Sequence, residues 1–89
     1  MKKITFLTFE FAYNPVMDCL VDEQQGKAMF FSKTYDEIHL VVEFVSGRLT
    51  FHPRWNVNIS VDEVNPKKYI IDVNYPNDGL NLSGVPMIK

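Results

Sequence analysis

The sequence predicts an α+β domain: a small antiparallel β-sheet of four to six strands with one helix, at about residues 35–46, packed on it. Three observations predict it. Apolar and polar residues alternate with period two through several short runs. Turn-forming residues separate those runs at short intervals. Thr34-Tyr35-Asp36-Glu37 has the form of a capping box, and apolar residues at helical spacing follow it. An all-β barrel or sandwich is the alternative, because that same segment also reads as a strand.

Lys3 to Tyr13 reads as the first strand, in which Leu7, Phe9, Phe11 and Tyr13 alternate with Thr8, Glu10 and Ala12. Asn14-Pro15 ends it, since proline cannot donate to a ladder. Residues 16–31 admit two readings. Val16, Met17, Leu20 and Val21 have helical spacing behind Asn14-Pro15. Alternatively, Cys19 to Val21 and Ala28 to Phe31 form a hairpin around 22–27, with Gly26 at positive φ, and this reading is favoured. In the expected helix, Tyr35, Ile38, Val41, Val42 and Val45 share one face, with Asp36, His39 and Glu43 opposite and Gly47 just past the end. The rival strand, Ile38 to Val45, turns at Ser46-Gly47 and pairs Phe44 with Leu49 and Val42 with Phe51. Its β-branched residues favour it.

Arg48 to His52 is a short strand ended by Pro53. The alternating runs from Trp55 to Val61 and from Tyr69 to Tyr75 flank a turn-rich loop, which predicts an antiparallel hairpin. Leu80 and Leu82 are candidates for a last edge strand. Residues 1–76 are therefore expected to form a single globular domain, and 77–89 a C-terminal tail or edge strand.

Composition narrows the function classes. The 89 residues are 46% apolar and 22% charged, which excludes a disordered or low-complexity chain. Seven Phe, four Tyr and one Trp supply a core that a chain of this size otherwise builds with difficulty. Nine Lys plus Arg against eleven Asp plus Glu give a net charge of −2, without the basic surplus of a dedicated nucleic-acid binder. No apolar stretch approaches the ~18 residues of a membrane-spanning helix. The single cysteine, Cys19, allows no intrachain disulfide and fits a reducing, cytoplasmic compartment.

Arg48-Leu49-Thr50-Phe51-His52-Pro53-Arg54-Trp55 is the best local cluster of candidate site residues. Arg48 and Arg54 offer planar forks of donors for carboxylate or phosphate, and Trp55 offers a face for stacking. Arg48, His52, Arg54 and Trp55 are accordingly the expected partner- or anion-binding residues. The competing account is a solvated strand face with Trp55 opening the next buried strand. His39 and His52 lack the ligand spacing of a metal site; a Cys19–His nucleophile pair is one catalytic arrangement the residue types allow, although Cys is most often a small buried hydrophobe. The doublets Asp22-Glu23, Asp36-Glu37 and Asp62-Glu63 fall in expected turns or the first turn of the expected helix, where solvated acids favour the turn or the helix dipole.

These features point to a small intracellular interaction protein that binds stoichiometrically and is not an enzyme, of the kind a phage or mobile element encodes to inhibit a host protein. A protein partner is expected, a homo-oligomer is possible, and no cofactor is implied. The alternative is a module for a small anionic ligand or nucleotide, with its site at a homo-oligomer interface.

Overall fold

The apolar parity of the first segment flips between Phe6 and Phe9: Ile4 and Phe6 are even-numbered, whereas Phe9, Phe11 and Tyr13 are odd. In a continuous strand these two sets would face opposite sides. A computed structural model, which describes residues 1–74, resolves the conflict by folding the segment into a hairpin. Strands β1 (Lys2–Phe6) and β2 (Phe9–Tyr13) pair antiparallel with Phe6 opposite Phe9. The single strand expected over Lys3 to Tyr13 is thereby corrected to two. Leu7 takes φ 57° in the two-residue loop, a conformation its side chain does not signal. Its N–H donates to Glu23 Oε2 at 2.8 Å, which ties this turn to the next hairpin.

That hairpin is β3 (Asp18–Asp22) and β4 (Lys27–Ser32), as the favoured reading of residues 16–31 has it. Gly26 closes the loop at φ 67°, and its carbonyl accepts from Phe44 N–H at 2.8 Å.

The expected helix is absent. Glu37–Val45 is a nine-residue strand, β5, between β4 and β6 (Arg48–Pro53). The α+β assignment gives way to the all-β sandwich. Ser46 and Gly47, at φ 54° and 82°, form the two-residue loop of a β-hairpin with the primed-turn signature, so Gly47 is a turn residue and not a helix end. The register pairs Phe44 with Leu49 and Val42 with Phe51. Thr34 to Asp36 belongs to the β4–β5 turn and Glu37 opens β5: Ser32 Oγ accepts from Tyr35 N–H at 3.2 Å and Asp36 sits at φ 52°. The helical look of the segment has one further cause. Phe30 pairs with Leu40 but Phe31 with Ile38, leaving His39 as the extra residue of a β-bulge. His39 and Leu40 are consequently both buried, which breaks the two-residue period.

Strands β7 (Val57–Val61) and β8 (Lys68–Val73) form the expected hairpin. Trp55 precedes β7 and is not part of it. The expected tail or edge strand over 77–89 lies outside the described residues.

Two four-stranded sheets result, ordered β1-β2-β8-β7 and β3-β4-β5-β6. Strand β8 inserts parallel to β2, so the last described strand joins the first hairpin at the middle of one sheet. Asn14 pins this junction, donating from its N–H to the Ile71 carbonyl at 3.0 Å and from Nδ2 to Asp72 Oδ1 at 2.8 Å. Aromatic rings fill the space between the sheets: Phe11 meets Phe30 edge-on at 5.5 Å, Tyr13 meets Phe30 at 5.4 Å, and Phe51 meets Tyr69 at 5.0 Å. Such pairs stabilise beyond their buried area by about 0.5–1.5 kcal/mol each. Phe6, Met17, Leu40, Val42 and Ile71 complete the core.

Candidate functional site

Strand β6 is a sheet edge, and its alternation is the expected one. Leu49 and Phe51 pack against the core, whereas Arg48, Thr50 and His52 are exposed. Register with β5 sets Val45 opposite Arg48, Glu43 opposite Thr50 and Val41 opposite His52. His52 reaches diagonally to Glu43, with Nε2 2.8 Å from Oε1. Lys27, from β4, approaches the other oxygen of Glu43 at 3.9 Å. Arg54, just past the strand, completes an open depression of about 320 Å³ lined by Lys27, Val41, Glu43, His52 and Arg54.

Two of the four expected site residues, His52 and Arg54, therefore share a site. Arg48 stands four residues back along β6, about 13 Å away at the usual strand rise. Trp55 does not line the depression. Its ring stacks on the buried His39, with centroids 5.2 Å and planes 28° apart, and lies 6.4 Å from Tyr35. Its backbone is bonded to the same residue: His39 Nδ1 lies 2.7 Å from the Trp55 carbonyl, and the His39 carbonyl accepts from Arg54 and Trp55 N–H. Trp55 thus anchors the corner where the chain crosses between sheets.

Lys27 and Glu43 join the site and are not among the expected site residues. The register set by Ser46-Gly47, which the rival strand reading contains, puts Glu43 beside His52, whereas Lys27 comes opposite Glu43 through the β4–β5 pairing, which that reading does not specify. The same outer face bears an apolar row. Leu20, Met29 and Val41 are successive cross-strand partners on β3, β4 and β5, and His52 continues the row on β6. Leu20 is 60% exposed. Leu20, Met29 and Val41 line a second open depression of about 380 Å³, next to the first and sharing Lys27 and Val41 with it.

Cys19 points the other way, packing against the core with its thiol pushed up to about 12 by burial. At neutral pH it is a protonated, apolar-packed thiol, while His52 lies on the opposite face of its sheet. The acidic doublets are turn-makers: Asp22 Oδ1 accepts from Gln25 N–H, Glu23 from Leu7, and Asp62 Oδ2 from Val64 and Asn65. Among the described residues no group of three or more His, Cys, Asp or Glu is arranged to hold a metal ion, and no helix is long and apolar enough to cross a membrane.

The chain was compared with protein families, with characterised proteins and with solved structures. None of the three comparisons gives a match.

Proposed function

We propose that the chain is a stoichiometric protein-binding module whose docking surface is the outer face of the β3–β6 sheet. The observation that carries this reading is the row Leu20–Met29–Val41, set across three strands on the outer face, with Leu20 exposed and Met29 and Val41 half-buried. The aromatic core already fills the inner face, so these side chains add little to folding. A contiguous exposed apolar patch rimmed by polar groups is characteristic of an interaction site. The rim here is Lys27, Glu43, His52 and Arg54. Glu43 is shared by Lys27 and His52, whereas Arg54 makes no ion pair among the described residues. The complementary partner is a protein surface that lays aliphatic side chains on the row and directs a carboxylate to Arg54. Binding of this kind covers the partner's surface and supports inhibition without chemistry.

The small-anion reading has less support. The Glu43 carboxylate sits in the middle of the cationic depression, and Trp55, the expected stacking platform, is engaged with His39.

The test is native mass spectrometry of protein isolated gently from its own cells, comparing wild type with Leu20→Glu and Arg54→Ala. Both side chains are exposed, so circular dichroism should be unchanged. One partner per chain should accompany the wild type and be lost from Leu20→Glu. A partner retained in full by Leu20→Glu overturns this placement.

A further inference from the structure

Among the described strands four are sheet edges, and three of them are defended. Strand β1 carries Lys2 and Lys3, β3 begins and ends with Asp18 and Asp22, and β6 carries Arg48, His52 and Pro53. Charges and proline on an edge discourage another strand from adding to it. Strand β7, Val57-Asn58-Ile59-Ser60-Val61, has neither.

The direction of its free backbone groups follows from the bonds that flank it. Asn74 N–H donates to the Asn56 carbonyl at 2.8 Å, and Asp62 N–H to the Lys68 carbonyl at 2.9 Å. Both pairs continue the β7–β8 register. Hydrogen bonding alternates along an antiparallel strand, so Asn58 and Ser60 bond toward β8. The N–H and C=O groups of Val57, Ile59 and Val61 point away from it, and among the described residues no strand pairs with them.

We propose that β7 pairs antiparallel with the same strand of a second copy, about a two-fold axis at Ile59. The β1-β2-β8-β7 sheets of the two copies then join into one continuous sheet. In this register Val57 meets Val61 of the partner subunit, Ile59 meets Ile59 of the partner subunit, and Asn58 meets Ser60 of the partner subunit. Every outward-pointing donor and acceptor thereby faces its complement. A shift by one residue would instead set these groups against backbone already bonded into its own sheet. The side chains agree with the phase. Val61, 51% exposed in one chain, is covered by a valine across the axis, and the polar Asn58 and Ser60 stay together on the solvent face. The strand is its own match, which is what an isologous interface requires. This surface is separate from the β3–β6 face, so either assignment stands if the other fails.

A five-residue pairing is a small interface, so sedimentation velocity of the full chain should be followed from about 10 µM to about 1 mM. Wild type should shift from 10.3 kDa toward twice that mass. Val61→Pro should remain monomeric with an unchanged far-ultraviolet spectrum, because the Val61 N–H makes no bond within its own sheet. A second measurement stands if that variant fails to fold. In a Cys19→Ser background, Asn58→Cys with Ser60→Cys places thiols at non-hydrogen-bonded cross-axis positions, whose ~4.5 Å Cα separation suits a disulfide. Oxidation should yield a covalent dimer from the double variant in preference to either single one. A wild type monomeric at the highest concentration overturns the proposal. So does a folded Val61→Pro that dimerises as well as wild type, or a double-cysteine variant that forms no covalent dimer.

Discussion

The imidazole of His39 lies on the indole of Trp55 and hydrogen-bonds to the carbonyl of the same residue at 2.7 Å. A carbonyl only accepts, so His39 Nδ1 carries the proton. The bulge in β5 turns this side chain inward, and the corner it meets, Arg54 to Asn56, carries the chain from one sheet to the other. The histidine does structural work: it ties the crossover down through both ring and backbone.

His39→Ala should therefore destabilise the protein by about 2–4 kcal/mol, through the cavity left and the Trp55 carbonyl left unpaired. His39→Phe keeps the stacking surface and should lose less, about 1–2 kcal/mol. Urea unfolding followed by the fluorescence of Trp55, the only tryptophan, measures both. An alanine variant as stable as wild type would show that the corner is held by other contacts.

Gly26 is where a side chain cannot be added. At φ 67° it occupies a region that disfavours L-residues, and a Cβ there would stand 3.0 Å from the carbonyl oxygen of Phe44, the residue whose N–H donates to the Gly26 carbonyl. Gly26→Ala should cost about 1–2 kcal/mol from backbone strain alone. The close approach adds to that. Gly47 has φ 82° with open space around it, so Gly47→Ala should show the conformational cost without the steric one. Equal losses for the two variants, by chemical denaturation, would refute the steric contribution.

Much of the β-structure is legible in the sequence because its signals are local. The period-two runs of β7 and β8 are bounded by turn formers, and Gly26 marks the β3–β4 loop. The β1–β2 hairpin escapes because its loop, Leu7-Thr8, lacks turn chemistry; only the parity flip between Phe6 and Phe9 betrays it. Strand β5 is legible only as the rival to a helix because it carries apolar residues on both faces, Leu40, Val42 and Phe44 inward and Ile38, Val41 and Val45 outward, and Ile38, Val41, Val42 and Val45 therefore fall at helical spacing. His52 and Arg54 are found as neighbours in the chain. Lys27 and Glu43 are brought to them by strand register, and Trp55 is taken away by a contact with a residue sixteen positions earlier.

The β7–β8 loop should report on acid. Asp62 Oδ2 accepts from the N–H groups of Asn65 and Val64, at 2.9 and 3.0 Å, and these bonds hold its carboxyl below the ordinary value of 3.8. A depressed folded-state pKa contributes stability that is present above the unfolded value and lost as pH falls through the folded one. Asp62→Ala should thus be less stable than wild type at pH 7, with the difference shrinking below pH ~4. Thermal melts of both proteins across that range test it, and a pH-independent gap would assign the loss to something other than this carboxylate.

Cys19 should behave oppositely, at the alkaline end. Burial raises its thiol from 9.0 to about 12, so the folded protein keeps it protonated where the unfolded chain ionises it. Stability from this group is complete below pH 9.0 and declines as pH rises toward 12. Wild type should lose stability relative to Cys19→Ala across that interval. Reactivity gives a second readout at pH 8, where a disulfide reagent attacks the thiolate. Modification of the folded protein should be slower by at least about tenfold than in guanidinium, because far less thiolate is present and Cys19 is partly buried against the core. A native-state rate matching the unfolded one would mean that the thiol is open to solvent and available as a nucleophile, restoring the catalytic reading that its burial argues against.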